Sequence, residues 1–187
     1  KAKLEELLQH LTSQGELTAD LYKSILEKGV DPNISVKDGS GKKTPLLHYI
    51  NSKRAKEGFK EVLEQLIDNP ATNINIINPT DGGTLAMEAC YYQQASTNRI
   101  KKLLTRKDLD INTINTGKQP GKEGYTLLDI IVTNCIQLLT GNDAQKDIIL
   151  ENNKRWLAVF EKLKTHPNFF VKKENIDKVE EQIKQLT

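Results

Sequence analysis

Asp81-Gly82-Gly83-Thr84-Leu85-Ala86-Met87-Glu88-Ala89-Cys90 passes from turn residues to helix formers within four positions. Asp-Gly-Gly supplies backbone freedom for a tight turn. Thr84 is placed to cap the helix that follows, because its hydroxyl can accept from an unpaired N–H of the first turn. The same switch occurs twice more, in Lys42-Lys43-Thr44-Pro45-Leu46-Leu47-His48 and in Gly124-Tyr125-Thr126-Leu127-Leu128-Asp129. The threonines are 40 and 42 residues apart. A second marker lies between them: an asparagine ending a turn, at Asn33, Asn75 and Asn112, each after a segment that ends like a helix. Two markers in fixed order at a spacing of about 40 residues predict stacked helical repeats.

Apolar spacing predicts the helices between the markers. Leu4, Leu7, Leu8 and Leu11 share one face of a first helix that Gly15 ends. A second runs from about Thr18 to Lys28 with Leu21, Ile25 and Leu26 apolar and Gly29 closing it. Ile34 to Lys43 reads as an exposed, glycine-rich finger. Thr44 then caps a short helix with Pro45 at its first position, where a missing N–H costs nothing. The next helix, about Glu57 to Ile67, buries Phe59, Val62, Leu63, Leu66 and Ile67 and stops at Asn69-Pro70. Thr84 to about Tyr92, Thr97 to Leu104, Thr126 to Leu139 and a long helix from about Ala144 to Leu163 follow. In the long helix Trp156, Leu157, Phe160 and Leu163 face inward, and Thr165-His166-Pro167-Asn168 is its terminating turn. Glu174 to Leu186 forms a charged last helix with a single apolar stripe, as an end cap facing water should.

The chain of 187 residues is 37% hydrophobic, enough for a modest core, and its net charge of +2 is too small to imply nucleic acid. No apolar run approaches the roughly 18 residues of a membrane span. Lys1-Ala2-Lys3-Leu4-Glu5-Glu6 is a charged amphipathic start with neither signal-peptide character nor an initiator Met, as in a fragment or processed form. Cys90 and Cys135 lie far apart in helix-like apolar stretches and read as reduced core thiols of a cytoplasmic protein.

These residues resemble the ankyrin-repeat family. The resemblance is carried by Thr44-Pro45-Leu46-Leu47-His48, by Asp81 to Cys90, by Gly124 to Asp129, and by turns that end in an aspartate-type residue, an intervening residue and Asn. Gly82 and Gly124 stand two positions before the threonine, as the family's glycine does, and Ala89 matches its small helix-packing residue. Lys42 departs from that pattern, as do Leu47, Met87 and Asp129 where the family has His. The units also exceed the family period of about 33 residues. The resemblance covers roughly residues 17 to 168. It implies an all-α solenoid of about four divergent helix-turn-helix units, 17–43, 44–83, 84–125 and 126–170, with short hairpin fingers and helical caps at 1–16 and 171–187. It also implies a monomeric module whose concave face and fingers recognise another protein, with no cofactor and no catalytic residue.

The chemistry the residues could otherwise carry is weak. Gly39-Ser40-Gly41-Lys42-Lys43-Thr44 looks like a phosphate-binding loop, but Val36 occupies the first glycine position and Lys43 the hydroxyl position. It reads instead as a lysine-tipped hairpin. His10, His48 and His166 have no ligand partner at helical or turn spacing, and the cysteines form no C-x-x-C. Glu57, Glu61 and Glu64 read as a solvated helix face.

Partner contact is the better reading. Tyr91 and Tyr92 end the helix begun at Thr84, where such stacks present their inner face, and Tyr offers large contact area for little entropy loss. Asn51 and Asn134 hold the equivalent positions in neighbouring units, Tyr125 stands at a finger base, and Lys43 and Asp81 belong to the fingers. Lys37, Lys42, Lys118 and Lys122 make the finger tips basic, while aromatics at only 5% argue against nucleotide stacking. A second function fits the same residues. The Lys-, Asn- and Ile-rich composition resembles ankyrin proteins that intracellular bacteria export, which would make this chain the target-recruiting part of a larger effector enzyme acting in the host cytoplasm. A HEAT-type array is set aside because it lacks glycine-rich fingers.

Overall fold

A computed structural model describes residues 1–91, 97–117, 124–136, 146–169, 177 and 180–181, with only the backbone of 132–136, 146–150 and 152–153. Among these are eight helices and one two-stranded antiparallel sheet. The chain divides into two compact units, Lys1–Thr80 and Asp81–Thr187.

The first unit opens with α1 (Ala2–Gln14), which Gly15 ends in the left-handed region at φ 76°. The Gly15 amide donates to Thr12 O and the Glu16 amide to Leu11 O, so two end carbonyls are satisfied by a turn that glycine adopts without a Cβ penalty. Thr18 caps α2 (Ala19–Glu27), its hydroxyl accepting from the Leu21 amide at 3.3 Å. The finger is a hairpin of β1 (Ser35–Lys37) and β2 (Lys43–Pro45), paired Ser35 to Pro45, Val36 to Thr44 and Lys37 to Lys43. It leads into α3 (Leu46–Ser52), which packs on α4 (Phe59–Asp68). α4 buries Phe59, Val62, Leu63, Leu66 and Ile67, all five residues that its spacing predicts. Each such side chain contributes about 1.5–3 kcal/mol on full burial.

Three expectations are corrected here. Thr44 does not cap α3: it pairs with Val36 inside β2, and Pro45 is the residue before the helix, with no side-chain cap bond. The Leu46 amide instead donates to Ile34 O at 2.8 Å, so the hairpin itself satisfies the helix start. On α1 the buried residues are Leu8 and Thr12, while Leu7 is exposed. On α2 the inward face is Tyr22 and Ile25, while Leu21 is exposed.

The second unit begins at the Asp81 turn. Thr84 caps α5 (Leu85–Tyr91), its Oγ1 accepting from the Met87 amide at 3.4 Å. Leu85 through Cys90 are all buried, as a helix enclosed by neighbours requires. Those neighbours are α6 (Thr97–Leu103) and α7 (Leu127–Ile136); α8 (Lys146–Lys164) packs on α6 and α7. Thr126 and Asp129 cap α7 reciprocally: Asp129 Oδ2 accepts from the Thr126 amide at 2.8 Å, and Thr126 Oγ1 accepts from the Asp129 amide at 3.3 Å. Trp156, Val159, Phe160 and Leu163 of α8 are buried. The expected last helix, Glu174 to Leu186, lies mostly outside the described residues.

The turn asparagines share one device. The amides of Asn33, Asn75 and Asn112 each donate to the side-chain oxygen two residues earlier, on Asp31, Asn73 and Asp110, at 2.8, 3.1 and 2.9 Å. Two of them also reach to the next turn of their own unit, Asn33 Nδ2 to Ala71 O and Asn112 Nδ2 to Asn168 O, both at 2.9 Å. His166-Pro167-Asn168 repeats the turn, with His166 Nδ1 accepting from the Asn168 amide at 3.2 Å. The marker read along the chain is thus a local turn that also ties one connection to another.

Candidate recognition surface on the fingers

In the second unit the finger is braced by Asn115. Its amide donates to Tyr125 O and its carbonyl accepts from the Gly124 amide, both at 2.8 Å, so Gly124 and Tyr125 together oppose Asn115 as in a glycine β-bulge, with Gly124 at φ 82°. Its side chain is used as fully. Asn115 Nδ2 donates to the Tyr91 hydroxyl at 2.7 Å, and Asn115 Oδ1 accepts from the Gly117 amide at 2.7 Å. One residue, 2% exposed, therefore joins the end of α5, the turn at Gly117 and the strand-like segment leading to α7.

The other side of the finger needs glycine. Gly82 has φ 72°, and a Cβ on it would lie 2.2 Å from the Gly117 amide nitrogen. A Cβ on Gly117 would lie 1.5 Å from Asp81 O, which no side chain permits. The Thr116 amide donates to Gly82 O at 3.2 Å, and Asp81 Oδ1 accepts from the Gly83 amide at 3.0 Å. The Asp-Gly-Gly segment thus folds as a turn whose backbone touches the following finger.

On this frame Ile114 is 54% exposed and Tyr125 38% exposed. Ile114 precedes Asn115 and Tyr125 is its backbone partner, two large apolar side chains exposed on a segment whose backbone and asparagine are hydrogen-bonded. Tyr91 is half-buried; burial raises the pKa of its phenol, with the Asn115 hydrogen bond opposing. It is neutral and structurally engaged.

The remaining sequence candidates fall as follows. Lys43 is exposed on β2 opposite Lys37. The Asp81 carboxylate holds its own turn. Asn51 is 4% exposed and enclosed at the end of α3, which corrects its expected place on a contact surface: the short helix turns that side chain inward. Tyr92, Lys118 and Lys122 lie outside the described residues, as does the Asn134 side chain. Asn115 and Ile114 were not singled out from sequence; the only local signal for Asn115 was the Asn-x-Gly spacing to Gly117, which suits a side chain that closes on the amide two residues on.

The residues weighed for other chemistries are placed as follows. In the Gly39–Thr44 segment the Asp38 carboxylate accepts from the amides of Ser40 and Lys42, each at 2.9 Å, and from the Ser40 hydroxyl at 2.6 Å. Those are the amides that a phosphate would need. These hydrogen bonds, that of the Ser40 hydroxyl foremost, hold Asp38 below the usual carboxylate range. His48 and His166 are buried, with Nε2 2.7 Å from Ile76 O and 2.8 Å from Arg106 O, where each ring donates to a carbonyl. Among the described residues no group of three or more His, Cys, Asp or Glu could hold a metal ion. Cys90 is buried. No described helix is long and apolar enough to cross a membrane. No protein-family model matches the chain, and no curated protein matches it significantly.

Proposed function

We propose that this protein is a binding module built from ankyrin-like helical units, and that it recognises another protein through its fingers without catalysing a reaction. The observation that carries the reading is the exposure of Ile114 and Tyr125 on a finger braced by Asn115. Apolar side chains held outward by a hydrogen-bonded backbone lose little freedom when a partner covers them, so more of their burial energy goes into affinity. Aromatic anchors of this kind dominate interfaces, typically at about 2 kcal/mol or more each. The repeated helix caps at Thr84 and Thr126 and the repeated asparagine turns support a common plan for the units.

The test is affinity capture with the purified chain and with an Ile114→Ser, Tyr125→Ala double variant. The partner retained by the parent should be lost from the variant while the thermal melt stays within a degree or so of the parent. Retention of that partner by a folded variant would place recognition elsewhere.

A further inference from the structure

The hairpin of the first unit places two lysines in the least favourable arrangement that a two-stranded sheet allows. Lys37 and Lys43 are direct cross-strand partners. The Asp38 amide donates to Lys42 O, and the Leu46 amide donates to Ile34 O. Hydrogen-bonded pairs alternate with non-bonded ones, so the Lys37–Lys43 pair is non-bonded, the kind whose Cα atoms approach to about 4.5 Å and whose side chains are closest. Like charges directly opposite one another destabilise a hairpin. Both side chains are exposed, and neither makes an ion pair or hydrogen bond through its ammonium group among the described residues.

The acid nearest them in the sequence, Asp38, directs its charge to Lys42. Asp38, the acid of this hairpin, is committed to the turn through Ser40 and the Lys42 amide. The third ammonium, on Lys42, is held 2.6 Å from the hydroxyl of Thr80, a neutral acceptor. Three cations therefore surround one three-residue ladder whose inner face is pinned by buried Val36.

We propose that the Lys37–Lys43 pair is the docking point for an extended acidic segment of a partner protein. This deepens the binding reading above and rests on it. An extended chain places alternate side chains about 7 Å apart on one side, a spacing that two long lysine stems on facing strands can bracket. Nucleic acid fits less well, because Ile34 to Pro45 contains no aromatic residue on which a base could stack. A membrane surface fits less well, because the tip, Asp38-Gly39-Ser40-Gly41, carries an acid and no apolar anchor.

The test uses a fluorescein-labelled octaglutamate peptide read by anisotropy at low and physiological salt, with a dT8 oligonucleotide and phosphatidylserine vesicles as competing probes. The parent should bind octaglutamate more tightly than either competitor. A Lys37→Gln, Lys43→Gln variant should weaken that binding about fivefold, the size expected for two exposed ion pairs, and flatten its salt dependence. The control Lys23→Gln, Lys28→Gln, which removes equal charge on and beside α2, should leave it within a factor of about two. Without ligand, the hairpin variant should melt no lower than the parent, since a repulsion has been removed. Equal losses from both variants, or tighter binding of dT8 or vesicles through the same lysines, would overturn the proposal. If octaglutamate fails while the Ile114/Tyr125 capture experiment succeeds, the lysine assignment alone is lost.

Discussion

Replacing Tyr22 by Phe should make the protein more stable. Tyr22 lies on the inward face of α2 with no exposed surface, and its hydroxyl has no hydrogen-bond partner among the described residues. A buried hydroxyl without a partner loses its water and gains nothing in return, a cost of about 1–3 kcal/mol. Phe keeps the ring and leaves no cavity of consequence, so the substitution removes the penalty and retains the packing. A gain of about 1 kcal/mol would raise the Tm of a chain this size by roughly 2–4 °C. Burial, with the nearby Asp31 charge adding to it, pushes the Tyr22 phenol far above its ordinary value of 10.0. The folded state therefore keeps a proton that the unfolded chain releases above pH 10, so the stability linked to this group is fully present below pH 10 and declines as pH rises beyond it. Tyr22→Phe should remove its share of that decline, up to about 1.4 kcal/mol per pH unit. Urea titrations at pH 7 and at two values above 10, for parent and variant, measure both effects. A loss of about 1 kcal/mol or more at pH 7 would show that the hydroxyl is bonded in the folded protein and would refute the reasoning.

One contrast and one single substitution test the rest of the framework. Thr84→Ala should cost about 0.5–2 kcal/mol as a lost helix cap, whereas Thr44→Ala should cost under about 0.5 kcal/mol because that hydroxyl caps nothing; urea midpoints distinguish the two. Asn115→Ala should cost roughly 1–3 kcal/mol through the lost bonds to Tyr91 and Gly117, and should shift the Tyr91 phenol titration, followed by ultraviolet absorbance.

Much of the helical organisation was legible in the chain because it is decided locally. The caps at Thr18, Thr84 and Thr126 and the asparagine turns depend on side chains meeting amides two or three residues away, and the stop at Gly15 on a left-handed backbone turn that glycine adopts locally. The inward face of α4 follows from helical spacing alone, since its five apolar residues leave no competing arrangement. Tertiary structure decided what has more than one local solution. Thr44-Pro45 is a sound helix start by itself, but pairing with Ser35–Lys37 offers the Leu46 amide a backbone carbonyl and draws Thr44 into a strand. α1 and α2 carry more leucines than their contact faces can cover, so packing chose Leu8 over Leu7 and Tyr22 over Leu21. Asn115 gave little local notice because its partners are Tyr91 and Tyr125, remote along the chain and joined to it only when the finger closes. Short-range hydrogen bonds and one-helix periodicity are written in consecutive residues; burial and long-range polar pairing are set by which surfaces the folded chain brings together.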